Sequence, residues 1–263
     1  MRRAWTIVRK EWAEIFKNRF VLFTVAFLPM LLTAIPLVIL YVSGSESDLG
    51  GLIADDLPRN FAQVCQGLDG AACGQYFLVS QFLLLFMLMP LAIPITIASY
   101  SIIGEKTRRT LEPVLATPIT TVELLAGKAA AAVIPAVLVT WLAFGVFLLG
   151  SALLAVAPAV FCRLTDPLWL TAVLVVGPLL ALAAVSVAVM VSSRSSDPRV
   201  AEQLSMLVIL PLLALFFGQI SGLILLNQSL ILWMALVLSV IDAGLLAFSV
   251  QLFERETILT RWK

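Results

Sequence analysis

The sequence predicts an all-α integral membrane protein: six transmembrane helices, an N-terminal amphipathic interfacial helix, and a short cytoplasmic helix between the second and third spans. Three observations predict it. Hydrophobic residues fill 61% of the 263 positions and charged residues only 13%, against about 45–50% and about 25% in a soluble domain, and mean hydropathy is +1.06. Six apolar runs reach the roughly 20 residues that a helix needs to cross a hydrocarbon core of about 30 Å. Lysine and arginine divide unequally: of 17 in all, only Arg59 and Arg163 fall outside when the N-terminus is inside. That positive-inside bias sets both termini in the cytoplasm of a plasma membrane.

Residues 1–19 form the interfacial helix. In "RRAWTIVRKEWAEIFKNRF", Trp5, Val8, Trp12, Ile15 and Phe16 recur on one stripe, while Arg9, Lys10, Glu14 and Lys17 lie off it. Such a helix settles at the membrane surface, tryptophans at headgroup depth and cations toward anionic lipid. It anchors the first span and offers a surface to a cytoplasmic partner. The spans follow at 20–42, 77–103, 129–149, 168–191, 204–226 and 230–253, and residues 1–263 read as one membrane domain. Prolines inside the spans, among them Pro29, Pro90, Pro94, Pro135, Pro178 and Pro211, are expected as kinks. The first run is expected to be retained as a span. It is too long for a signal peptide, follows a charged segment, and ends without an A-x-A site.

The three cysteines fall on the outer side, an oxidising compartment. Cys65 and Cys73 share the glycine-rich stretch "VCQGLDGAACG" and are candidates for a disulfide. Pairing of either with Cys162, or three unpaired thiols, are the alternatives.

Residues 104–127 are the polar hinge of the chain. Glu105, Lys106, Arg108 and Arg109 make a charged turn after the second span. Thr110 is an N-cap, Leu111 and Glu112 stand in the first turn, and Pro113 sits where its missing N–H costs nothing. Leu111, Val114 and Leu115 then share one face of a helix of one or two turns that ends before Pro118. Thr120-x-x-Glu123 is a capping-box pattern that opens the next long helix. Further on, Asp197-Pro198 in "SSRSSDPRVAEQLS" reads as a turn followed by a helix start.

Several function classes fall away. With no histidine, His-based triads and most zinc or iron sites are excluded. Three scattered cysteines do not make a metal cluster, and no metal site is expected. A net charge of +1 argues against nucleic acid as a partner. "LLAGKAAA" lacks the upstream glycine and the hydroxyl of a P-loop, so the chain is not expected to bind ATP or to act as an enzyme.

The stretch "GEKTRRTLEPVLATPITTVELLAGK" resembles the signature of ABC-2 type transporter permeases, E-[KR]-x-x-G-T-L-E-x-L-L-x-T-P followed by E-[LI]-L-x-G-K. "RKEWAEIFKNRF", "SSRSSDPRVAEQL" and "LFERETILTRWK" also fit that family, in order and on the expected side, and the likeness covers nearly the whole chain. One departure is Arg109, where many members carry glycine. The resemblance implies a permease subunit of an ATP-binding cassette exporter, with the pathway formed between two copies or paralogues. It implies a separate ATPase subunit that carries ATP and magnesium. The segment Leu111–Ala116 would be the coupling helix seated in that ATPase, with the N-terminal helix a second contact and membrane lipid the surroundings. Such a chain belongs in a prokaryotic plasma membrane. The alternative is a non-transporting scaffold or sensor subunit of an ATPase complex; an integral membrane enzyme fares badly without histidine or clustered acids.

Asp242 is the one acid within a predicted span, where an ionisable group costs about 2.5–3.5 kcal/mol. Ser239, Asp242 and Ser249 are expected on one helix face, and Gln219 is the next most polar intramembrane residue. Asp242, Gln219 and Ser239 are therefore pathway candidates. For Asp242 the competing reading is a protonated or hydrogen-bonded side chain that fixes helix packing.

Overall fold

The computed structural model describes residues 2–15, 17, 19–45, 68, 70–107, 120–154 and 158–252. The described residues are 91% helical with no strand among them, which fixes the all-α class. Among the described residues, six helical stretches are long and apolar enough to cross a membrane. The expected cross-helix with Arg108 to Leu115, together with Phe16 and Cys65, lies outside the described residues, as do the side chains of Glu105 and Lys106.

Helix α1 spans Arg2–Ile15 and α2, the first span, Arg19–Ser45. The second span is made of two helices, α3 (Gly70–Phe86) and α4 (Met89–Thr107). Helix α5 (Thr121–Leu154) is the third span. The fourth combines α6 (Pro158–Leu164), α7 (Pro167–Thr171), a wide π-type turn over Ala172–Val176, and α8 (Gly177–Arg194). The fifth runs from α9 (Pro198–Ser205) through a tight turn at Met206–Ile209 into α10 (Leu210–Ile220), and α11 (Gln228–Leu252) is the sixth. The bundle thus has an α1 end and an opposite, far end.

Proline explains the broken spans. Pro90 has no N–H for the Phe86 carbonyl and crowds it, so the second span tightens: Met87 N–H donates to Leu84 O (3.1 Å) and Leu88 N–H to Leu85 O (2.9 Å). In the fourth span the Gly177 N–H reaches five residues back to the Ala172 carbonyl. In that register the Val173 carbonyl would need the N–H of Pro178, which does not exist. The Trp141 indole of α5 takes its place, donating to Val173 O at 3.2 Å. Helix α5 has the same vacancy at Ala131, whose usual donor would be Pro135. Trp12 of α1 fills it at 3.0 Å. Two prolines therefore free two carbonyls, and two indoles dock helices on them.

The fifth helix stops at Ile220, before Leu226 where the apolar run ends, because Gly222 turns the chain at φ 72°. A left-handed residue there terminates a helix and favours glycine.

The second span is the hub, with 83% of its apolar stretch buried, against 17% in the fifth span and 11% in the sixth. It is apolar all round, as a helix surrounded by protein should be. The two outer spans are left to lipid or to another protein surface. Phe86 anchors the middle of the core, its ring 5.7 Å from Phe147 and 6.3 Å from Phe144 of α5. At the far end, Gln75 Nε2 donates to Ser43 Oγ at 2.9 Å and ties α3 to α2.

Phe147 is wholly buried, so Phe147→Ala should cost about 3–5 kcal/mol. Thermal unfolding in detergent checks this, with Phe248→Ala at an exposed position expected to leave the midpoint near that of the parent protein.

Candidate functional site

The polar chemistry of the chain gathers at the α1 end, around the last turns of α4. Helix α1 buries Val8 and Glu11 and keeps Trp12 partly covered. Arg9, Lys10 and Glu14 point away from the bundle, with Lys10 and Glu14 paired loosely at 3.8 Å. Trp5 stands exposed, edge-on to Trp12 at 5.9 Å between ring centroids. The expected stripe is thus a docking face. Its centre packs on α5, and the Trp12 N–H is engaged there by Ala131 rather than free for headgroups.

Glu11 is the residue that sequence reading passed over. It is 2% exposed and forms a salt bridge with Lys128 Nζ at 2.9 Å, where Lys128 is itself buried in the second turn of α5. Ser101 of α4 completes the group: its Oγ donates to Glu11 Oε2 at 2.6 Å, and Lys128 Nζ donates to Ser101 Oγ at 3.0 Å. Three helices therefore meet in one closed polar network. A buried charge pair is tolerated when remaining lone pairs and protons are met by further hydrogen bonds, and Ser101 supplies them.

A signal for Glu11 exists in the sequence. It stands at i+3 from Val8 and i+4 to Ile15, inside the apolar stripe rather than beside it. Lys128 likewise stands well inside the first turns of an otherwise apolar helix. An isolated acid and an isolated base on buried faces are each costly until paired.

The opposite face of α4 carries a second set of contacts. Thr96 Oγ1 donates to Glu202 Oε1 of α9 at 2.6 Å, and the Tyr100 hydroxyl is hydrogen-bonded with Arg199. Helix α9 is placed by the Asp197-Pro198 turn: the Asp197 carboxylate accepts from Arg199 N–H at 2.8 Å and Pro198 opens the helix. Thr96 and Tyr100 thus do more than satisfy nearby carbonyls; they join the second span to the start of the fifth.

Helix α4 ends at Thr107 and α5 begins at Thr121, so the network stands on both sides of residues 108–119. The α5 flank is capped as the pattern predicts: Glu123 N–H donates to Thr120 Oγ1 (3.2 Å) and Thr120 N–H to Glu123 Oε2 (3.1 Å).

The pathway candidates do not come together. Asp242 is 4% exposed, on the packed stripe of α11 with Ile231 and Ser249. Neither of its carboxylate oxygens has a hydrogen-bond partner among the described residues. Ser239 does not share that stripe; it is exposed, its hydroxyl closing on the Ala235 carbonyl at 2.8 Å. The one-face grouping of Ser239 with Asp242 and Ser249 therefore fails, because a three-residue step on a helix with a narrow packed stripe carries Ser239 beyond its edge. Gln219 is buried at the far end, its Nε2 3.4 Å from Ser80 Oγ of α3. Cys73 is disulfide-bonded, whereas Cys162 is a free, exposed thiol and takes no part in that bond.

No cluster of metal-ligating residues occurs among the described residues. What the arrangement at the α1 end offers is mechanical: a rigid joint of α1, α4, α5 and α9 beside a segment that none of them contains.

A family model described as an ABC-2 family transporter protein matches residues 5–254. No match was found among curated proteins.

Removal of one partner from a buried charge pair typically costs about 3–5 kcal/mol. Glu11→Met and Lys128→Met should each destabilise the protein on that scale in chemical or thermal unfolding. The double variant should be less damaged than the sum of the two; additive losses would mean that the pair is not coupled.

Proposed function

The chain belongs to the ABC-2 family of transporter proteins, and from that footing we propose that it is the permease subunit of an ATP-driven exporter working through a separate ATPase partner. The α1 end faces the cytoplasm, as the lysine and arginine distribution requires. Two copies, or this chain and a paralogue, enclose the pathway. The partner carries ATP and magnesium and seats in its surface the part of the coupling segment between α4 and α5, residues 108–119, with Leu111, Val114 and Leu115 as the apolar contact. The exposed face of α1, bearing Arg9 and Lys10, is the second contact.

The observation that supports this reading best is the Glu11–Ser101–Lys128 network. A segment that receives force must pass it to helices that do not yield locally. Here both flanks of the segment are joined to each other and to α1 by buried charge-assisted hydrogen bonds, which are shorter and stronger than neutral ones. Movement imposed on residues 108–119 would then shift α4, α5 and α1 together. Through Thr96 and Glu202 the same movement reaches the fifth span, and the break at Met87–Leu88 gives the second span a place to bend.

Leu111→Glu and Leu115→Glu should abolish co-purification of the ATPase and its stimulated hydrolysis while leaving membrane insertion intact. Retained binding and retained transport in these variants would refute the seating of the segment in the ATPase. Stimulated hydrolysis without ATP-dependent movement of any substrate would instead support a sensor or scaffold subunit.

A further inference from the structure

Asp242 plays no part in the coupling just described, although it lies inside a membrane span. It is 4% exposed, and neither of its carboxyl oxygens has a hydrogen-bond partner among the described residues. The packed stripe of α11 changes character along its length. Ile231, Ala235 and Leu238 pack in or against the apolar core. Beyond them, the only buried side chains of α11 among the described residues are Asp242 and Ser249, and the Ser249 hydroxyl is unmet as well.

Helix α11 packs on α8, on α7 and the wide turn that precede it, and on α5. Gln228 Nε2 donates to Thr171 Oγ1 at 3.3 Å, which sets the start of α11 beside α7. From there the fourth and sixth spans both run toward the α1 end with the same rise per residue, so Asp242 comes level with residues 183–189 of α8. Those are alanine and valine except for Ser186. The ionisable side chains on the packed elements are Arg194, Glu123 and Lys128. Arg194 is exposed at the last residue of α8, Glu123 caps the start of α5, and Lys128 is held by Glu11. None of them meets the Asp242 carboxyl.

A charge in that place has no counter-ion, and an isolated carboxylate in an apolar interior takes up a proton rather than stay ionised. A metal ion is a poor alternative, because it requires several oxygen ligands at once and one carboxyl among alanines and valines supplies too few. A proton requires one oxygen. We propose that Asp242 is a proton-binding site, neutral while α11 lies closed on α8, and that it gives up the proton only when water enters between the two helices. In that step the carboxyl O–H bond breaks, its electron pair stays on the carboxylate, and the proton passes to water. Opening of this half of the sixth span and release of one proton are then a single event. The site is independent of the transport reading.

Infrared spectra of the full-length protein in lipid nanodiscs read the charge state directly. At neutral pH the spectrum of the parent protein minus that of Asp242→Asn should contain the carbonyl band of a protonated carboxylic acid. Asp242→Glu, which keeps the acid, should shift that band rather than abolish it. A carboxylate band in its place overturns the proposal. The link to opening is read by deuterium exchange of the α11 amides in the parent protein and in Asp242→Asn at matched pH. The ratio of parent to variant exchange should rise several-fold from acid to alkaline pH, because only the parent protein acquires a charge at the interface. A ratio that stays constant or falls overturns the proposal as well.

Discussion

An ammonium and a carboxylate buried at the edge of an apolar bundle have no stable arrangement except with each other, and this constraint organises the α1 end of the protein. Glu11 and Lys128 are 117 positions apart in the chain, and their pairing determines where α1 lies. Once α1 is there, Trp12 meets Ala131 and Ser101 closes the polar network from α4. Each of these contacts would be weak at an exposed surface. Their value comes from burial, where a missing partner is costly and a complete set is rigid.

Proline shapes the remainder of the bundle by the same logic of unmet backbone groups. A membrane helix interrupted by proline leaves a carbonyl that water cannot reach, and the structure answers with side-chain donors from neighbouring helices. Trp12 serves Ala131 and Trp141 serves Val173. The interruptions in the second and fourth spans lie together, since a Cβ on Gly177 would stand 3.9 Å from the Pro90 ring. The centre of the bundle is therefore both its most buried part and the place where its helices depart most from regularity. A protein that must hold a tight core and still change the relation of its ends has use for such a combination.

The sequence was most readable where the signal was local. Six apolar runs, the Thr120–Glu123 capping box and the Asp197-Pro198 turn could all be read within a few residues, and the helices and caps follow them. The family, too, was legible from short motifs in order. Contacts that depend on which helix lies beside which were not legible. Glu11 sat unremarked among the polar residues of an amphipathic segment, because its status depends on Lys128 far away in the chain. Trp12 looked like a headgroup anchor because nothing nearby shows that Pro135 frees a carbonyl for it. Ser239 was grouped with Asp242 because a helical wheel gives angles but does not give the width of the stripe that a neighbour will cover.

The Glu11–Lys128 pair is central to the proposal that the segment between α4 and α5 meets an ATPase and moves with the membrane helices as one body. The direct test is ATP hydrolysis per bound ATPase subunit, in lipid, for Glu11→Lys, for Lys128→Glu, and for the double variant that exchanges the two charges. Each single variant should still insert and bind the ATPase but fail to stimulate it, and the exchanged pair should restore stimulation. Single variants that stimulate as well as the parent protein would contradict it.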